Sequence, residues 1–407
     1  MTDARLLSGN RRLRIGFVHR FDAHNIRSWS GIFFFMCQAL EAHVGEIVYL
    51  GPDKSFGTRL MEYGMWRVNH LSAKIANREL VTDKNRVLSR RLGRFFERRI
   101  KEMECEVLFA PIAAAEIAFL ETDLPIVYCS DITWPLMLDY YPHTSVLSRA
   151  ARKEGYYIES RAARRVTASS FPSDWASESF CKDFGSVPES TFTISFGANI
   201  SNPPTRAVAT NRSAGGPINL LLLGVDWIRK GGAIAFDCLT TLLDRGVDAT
   251  LTLCGCVPPT GFEQPRFRVI PFLNKHDPKQ QELMKQLFLN AQFLLFPTRA
   301  EAFGVVICEA SAYGLPTIAT DTGGVGGALR NGINGFLMPY EARGEAYADK
   351  IMEIIAVPEQ YHTLVVSSRD EFERRLNWDA WGRSMRSVFD HALKGKPDSV
   401  DFVEGRR

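Results

Sequence analysis

Pro297-Thr298-Arg299-Ala300-Glu301-Ala302-Phe303-Gly304-Val305-Val306-Ile307-Cys308-Glu309-Ala310-Ser311-Ala312-Tyr313-Gly314-Leu315-Pro316 decides the fold. The apolar run Phe293 to Pro297 leads into it, and the run Thr317 to Ala319 follows it. Each run is short enough to be a buried strand. Between them Gly304 opens a short helix, and Gly314 closes it ahead of Pro316, a residue that cannot continue a helix. Strand, helix and strand in that order form one unit of a parallel sheet.

The same rhythm runs outward in both directions. Before the quoted stretch, strands are expected at Ile218 to Leu223, Ala249 to Cys254 and Phe267 to Pro271, with a helix at Gly232 to Arg245. After it come a strand at Gly335 to Met338 and helices at Glu341 to Ile355 and Trp378 to Leu393. The first half predicts strands at Leu13 to Val18, Glu46 to Leu50, Val107 to Phe109, Ile126 to Cys129, Val166 to Ala168 and Phe192 to Ile194. Helices are expected around Gly31 to His43, Lys84 to Met103, Thr144 to Arg164 and Ser173 to Asp183. The polar segment 202–217, rich in Pro, Gly and Ser, reads as the linker. The prediction is an α/β chain of two doubly wound, Rossmann-like domains, whose ligands bind at the carboxyl ends of the strands. Domain 1–205 is expected to be completed by 378–396, domain 206–377 to follow the linker, and 397–407 to be a polar tail.

Composition narrows the function classes. At 407 residues and 45% hydrophobic the chain can bury two cores. A net charge of +3 is too balanced for nucleic acid as the main partner. Eight cysteines lie mostly in apolar runs, which predicts reduced thiols and a cytoplasmic protein. Met1 to Arg12 is polar and has no secretory pattern, and no apolar run reaches the length of a membrane span.

The quoted stretch also carries chemistry. Free amides at the helix start near Gly304 to Val306 can receive an anion. Glu309, about 7.5 Å further along the helix, would repel that anion and suits hydroxyl groups instead. Amides for a phosphate and carboxylates for hydroxyls together imply a nucleotide diphosphate sugar. The bland alternative makes Glu301 a carboxylate favoured by the helix dipole and Glu309 a solvent-exposed side chain. A second phosphate candidate is Leu223-Gly224-Val225-Asp226-Trp227-Ile228-Arg229-Lys230-Gly231-Gly232. There Gly224 permits a tight exit from the strand. Arg229 and Lys230 stand at the positive end of a helix, where cations make sense beside a bound anion.

Three features, Gly224 through Arg229-Lys230-Gly231, the pair Glu301 and Glu309, and Thr322-Gly323-Gly324 with Asn331-Gly332-Ile333-Asn334-Gly335, resemble the donor domain of the retaining GT-B glycosyltransferases of family 4. The resemblance is strong over Ile218 to Pro339 and fainter back to Arg14. It implies two domains facing across a cleft, with the last helix returning to the first. It implies that Glu309 binds ribose, that Glu301 with Phe303, Gly304 and Val305 holds the transferred sugar and distal phosphate, and that Lys230 neutralises the diphosphate. The base is implied near Phe272 and Leu273, within 271–274. Val225 departs from the arginine common after the strand-end glycine, and Arg229 is expected to supply that charge. Catalytic roles are expected for Glu301, Lys230 and Asp131, with no metal and no cofactor beyond the co-substrate. The implied acceptor is a glycan, a lipid-linked molecule or a small molecule.

The first half offers weaker candidates. Ser30 and Gly31 begin a helix, and Gly31, taken as donor-binding, resembles the glycine loop through which the family approaches the donor phosphate or the acceptor, or is an ordinary helix start. Asp131 and Thr133 end a buried strand with their polar groups expected to face the ligand crevice, where the family often has a histidine. Phe196-Gly197-Ala198-Asn199 reads as a structural turn, and His19 and His24 as surface or packing histidines. Lys84 to Lys101 holds eight bases against Glu97, beside an apolar stripe of Leu88, Leu92, Phe95 or Phe96, Ile100 and Met103. It either docks on anionic membrane or packs its stripe on the first sheet. Rival activities are a nucleotide-sugar 2-epimerase, a non-catalytic nucleotide-sugar sensor, and an NAD-dependent oxidoreductase, whose G-x-G-x-x-G is missing after the first strand of either half.

Overall fold

The computed structural model describes residues 12–24, 28–213, 215–274 and 277–394. The polar tail 397–407 and most of the leading stretch 1–12 lie outside the described residues, as does the side chain of Ser30. The first sheet is built from β1 (Leu13–Phe17), β2 (Gly45–Tyr49), β3 (Val107–Pro111), β4 (Ile126–Cys129), β5 (Ala168–Phe171) and β6 (Thr191–Thr193). Its order is β2-β1-β3-β4-β5-β6, and every pairing is parallel. The second contains β7 (Ile218–Leu223), β8 (Ala249–Cys254), β9 (Phe267–Ile270), β10 (Phe293–Phe296), β11 (Thr317–Thr320) and β12 (Gly335–Met338). Its order is β12-β11-β10-β7-β8-β9, again all parallel.

Each order reverses once. In the second sheet the chain steps outward from β7 to β8 and β9, then returns to lay β10 on the other side of β7. The loops leaving β7 and β10 therefore diverge from adjacent strand ends, which is where such sheets bind ligands. The runs Leu220 to Leu222 and Phe293 to Phe296 are buried on both faces, as a parallel sheet covered by helices requires. Trp227, Leu239, Leu251, Tyr347 and Ile351 belong to the same core.

The described residues of Met1–Phe171, Ala176–Ile194 and Trp381–Arg407 form one compact unit, and Pro172–Trp175 with Ser195–Ala380 form the other. Helix Trp378–Lys394 joins the first unit through Trp381 and Phe389, both against Phe109, and through His391, bonded to Ser190 at 3.0 Å. The polar stretch after residue 201 lies within the second unit. There Thr205 to Thr210 packs on helix Pro358–Arg374 and Arg206 pairs with Asp370 and Glu373.

Three differences from the sequence reading have physical causes. β5 spans Ala168–Phe171 rather than 166–168, because Ser169 and Ser170 are fully buried strand residues. Their hydroxyls hide the strand from a hydropathy pattern. Helix Pro358–Arg374 buries Ser368, Arg369 and Glu371 beside Leu364 and Val365, which breaks its apolar stripe. Helix Phe56–Ala76 turns its apolar residues outward, so they mark no core.

Candidate active site

The loop after β7 is shaped around Lys230. The Lys230 N–H donates to the Asp226 carbonyl at 3.0 Å, and the Arg229 N–H donates to Asp226 Oδ1 at 3.0 Å. Gly224 clears the way for the lysine stem, since a Cβ there would stand 2.4 Å from Lys230 Cγ. Gly231 caps helix Gly232–Asp244 at φ 70°, and a Cβ there would meet the Pro297 carbonyl oxygen at 2.0 Å. The two loops touch at that point, so only glycine fits.

The loop after β10 receives the lysine. Lys230 Nζ donates to Glu301 Oε2, lies 4.5 Å from the centroid of the Phe296 ring, and is largely buried. Arg229 Nη1 reaches the same carboxylate oxygen at 3.3 Å and the Ala300 carbonyl at 3.1 Å. Thr298, fully buried, donates to the Arg229 carbonyl at 3.1 Å and stitches the loops together. Burial lowers the Lys230 pKa, with Arg229 adding to the effect, while the charge of Glu301 opposes both. An ammonium carries three donors, and its bond to Glu301 uses one.

Helix Val305–Ala312 follows at once. Gly304 caps it at φ 92° without a side-chain bond, so its first-turn amides receive no capping side chain. Glu309 is buried on this helix, so the reading that left it solvent-exposed does not hold. A buried carboxylate needs hydrogen-bond donors around it. The helix is anchored from behind by Asn334, whose Nδ2 donates to Ser311 Oγ at 3.2 Å and to the Ala328 carbonyl at 2.9 Å. Asn334 Oδ1 accepts the Arg330 N–H at 2.8 Å, and Asn331 Oδ1 accepts the Leu337 N–H at 2.7 Å. At Gly335 (φ 146°) a Cβ would sit 1.8 Å from the Thr317 carbonyl oxygen, and at Gly324 one would sit 1.8 Å from that of Ala302. These glycine and asparagine motifs set the position of Glu301 and Glu309 and need no ligand to explain them.

Residues 268–370 match the family model described as glycosyl transferases group 1. Over 141 residues the chain is 29% identical to D-inositol 3-phosphate glycosyltransferase of Streptomyces griseus, covering 34% of this chain and 29% of that protein. Over 213 residues it is 24% identical to the enzyme of the same name from Corynebacterium urealyticum, covering 47% and 49%. The chain thus spans half or less of the length of these curated relatives. In fold it is similar to HepE of Anabaena, solved with UDP and glucose, at a TM-score of 0.61 and 15% identity over 93% of this chain and 99% of that one. The architecture of two Rossmann-like units is the GT-B architecture.

The structure gathers Gly224, Arg229, Lys230, Glu301, Phe303, Gly304, Val305 and Glu309 on the loops leaving β7 and β10 and the helix that follows β10. Phe272 and Leu273 leave β9, on the far side of β8; Phe272 is exposed and Leu273 buried. Phe303 is buried against Phe196, which stacks on Trp378, so the 196–199 turn is a packing element of the second unit. Arg229 is engaged by Glu301 and the Ala300 carbonyl. Thr298 and Phe296 were not read from the sequence as site residues, since a buried threonine and a strand phenylalanine carry no local signal.

Gly31 and Asp131 lie in the first unit. Gly31 caps helix Ile32–His43 at φ 90°, and Asp131 follows β4, half-buried. Thr133, read as a polar group facing a ligand, is instead fully buried with its hydroxyl 2.5 Å from Ser179 Oγ. His19 is buried against Phe33, its Nδ1 accepting the Phe21 N–H at 3.0 Å, while His24 is exposed beside Asp22. In helix Arg86–Met103 Leu88, Leu92 and Phe96 are buried, and Lys84 precedes the helix and pairs with Glu159.

Proposed function

We propose that this chain is a retaining glycosyltransferase that moves a hexose-type sugar from a nucleotide diphosphate sugar to an acceptor hydroxyl. The observation that carries the reading is the ion pair of Lys230 with Glu301 beside the start of helix Val305–Ala312, at the reversal point of the second sheet. The group 1 match over 268–370, which takes in Glu301 and helix Val305–Ala312, supports it. Lys230, Arg229 and the amides from Phe303 to Val305 take the diphosphate, and Glu309 takes the ribose hydroxyls. Glu301 orients the transferred sugar and holds Lys230 in place. The segment 271–274 borders the base, and Gly31 is assigned to donor binding and Asp131 to catalysis.

In the reaction the bond between the anomeric carbon and the phosphate oxygen breaks and the acceptor oxygen bonds to that carbon on the same face. The acceptor's proton passes to the departing diphosphate. Negative charge grows on the diphosphate as it leaves, and cations and amides fixed beforehand stabilise that charge without reorganising. In this proposal they take the place of a metal ion. The setting is cytoplasmic, in keeping with eight free cysteines, in glycan, glycolipid or surface-polysaccharide synthesis.

NMR of reactions with UDP-, GDP- and ADP-sugars, run with a chelator present, tests the proposal. The expected result is cleavage of one donor, a product of unchanged anomeric configuration when an acceptor is supplied, and loss of both in Lys230→Ala and Glu301→Ala. Consumption of no nucleotide sugar, or release of an epimerised free sugar, contradicts it.

A further inference from the structure

Helix Phe56–Ala76 turns most of its large apolar side chains to water. The side that meets the rest of the first unit mixes Met61 and Met65 with polar groups. Fully buried Thr58 donates to Asp53 Oδ2 at 2.5 Å, and Asn69 Oδ1 accepts the Leu80 and Val81 N–H groups at 3.0 Å. Arg91 of the neighbouring helix ties in through Thr58 Oγ1 at 2.7 Å and Ser55 Oγ at 2.9 Å. The outward side carries Phe56, Leu60, Tyr63, Trp66, Leu71 and Ile75, with Phe56 80% and Ile75 78% exposed. Residues at this spacing share a broad face of a helix. An exposed face about 30 Å long that sets these apolar side chains among Arg59, Arg67 and Lys74 marks a docking surface.

The charge around this face selects what covers it. The helix carries Arg59, Arg67 and Lys74 against the single acid Glu62. On the adjoining helix, Arg86–Met103, exposed Arg90, Arg94 and Arg98 repeat every fourth residue. Together with Arg91, Met61 and Val87 they line a groove of about 720 Å³, which Asp53 and Glu97 also border. Two copies meeting through this face would set like charges against each other. An anionic bilayer meets both demands, taking the apolar side chains among its acyl chains and the arginines at its phosphates. Among the described residues no helix is long and apolar enough to cross a membrane, so the helix lies on the surface.

We infer that helix Phe56–Ala76 docks the first unit on a bilayer containing anionic phospholipid, with Arg90, Arg94 and Arg98 at the headgroups. The apolar contact comes from this helix, because the stripe of helix Arg86–Met103 is buried. The inference does not depend on the donor reading.

Co-sedimentation of the full chain with vesicles tests it. Phosphatidylcholine vesicles containing phosphatidylglycerol should carry the protein down, and phosphatidylcholine alone should not. High salt should release it. Leu60→Ser/Ile75→Ser and Arg90→Ala/Arg94→Ala should each weaken binding about tenfold or more, with circular dichroism and melting unchanged. On the mixed vesicles fluorescence should shift to the blue, and the shift should be lost in Trp66→Phe. Absence of binding to the mixed vesicles overturns the inference, as does unchanged binding by the serine variant. So does a dimer in sedimentation velocity that the serine variant dissolves, because a second copy then covers the face.

Discussion

Lys230 and Glu301, 71 positions apart in the chain, form one ion pair between the loops leaving β7 and β10. The lysine reaches it over Gly224, whose missing side chain leaves room for its stem. The family resemblance implies separate ligand contacts for these two residues. The structure pairs them, with Glu301 holding the cation in place.

Lys230→Met should lower nucleotide diphosphate affinity at least tenfold and cost about 1–3 kcal/mol of stability, because largely buried Glu301 loses the ammonium bonded to it. Gly224→Ala should reproduce the affinity loss with the ammonium chemically present, since its Cβ would displace the stem. Titration calorimetry checks both. Wild-type affinity in Gly224→Ala would refute the positioning argument.

Glu309→Ala should weaken nucleotide binding by about 10- to 100-fold, the range for a hydrogen bond to a charged group. The diagnostic is a cycle with a 2′,3′-dideoxy nucleotide. Wild type should discriminate against it and the variant should not. Equal discrimination by both would place the ribose away from Glu309.

Asn334→Ala should destabilise the chain by about 3 kcal/mol in urea unfolding, because it removes three bonds at a fully buried site and leaves their partners unpaired. A loss under about 1 kcal/mol would mean that another group ties Ser311 to the 328–335 segment.

Much of this was legible in the sequence for reasons visible at particular residues. Ile126–Cys129, Ile218–Leu223, Ala249–Cys254 and Gly335–Met338 are read to the residue, because each is an apolar run with a clear break at its ends. The α/β class follows from that rhythm. Glu301 and Glu309 stand out in the sequence because a glycine-capped helix follows the strand Phe293–Phe296 after a single loop. What failed was non-local. Thr133 looked ligand-facing because its partner, Ser179, lies 46 positions away. Helix Phe56–Ala76 was missed because hydropathy marks helices by a buried stripe, and here the stripe is outside.

His19 sets a pH dependence. Burial, with the charge of Arg20, lowers its pKa from 6.5 to about 3. Below pH 6.5 the unfolded chain therefore takes up a proton that the folded chain refuses, and stability falls as pH falls toward 3. The slope from this group is about 1.4 kcal/mol per pH unit. His43, also lowered by burial, adds to the same trend. His19→Asn keeps an acceptor for the Phe21 N–H and should flatten the melting profile between pH 6 and 5. A variant profile as steep as wild type would mean that other groups govern the window.

Thermal unfolding with UDP, GDP and ADP, on wild type, Lys230→Met and Glu309→Ala in parallel, tests the nucleotide site most directly. At one hundred times its dissociation constant, one of these ligands should stabilise wild type by about 2.7 kcal/mol. The same concentration should stabilise each variant by about 1.4 kcal/mol or less. A wild-type melting point that none of the three nucleotides raises, or variants that shift as far as wild type, would contradict the account.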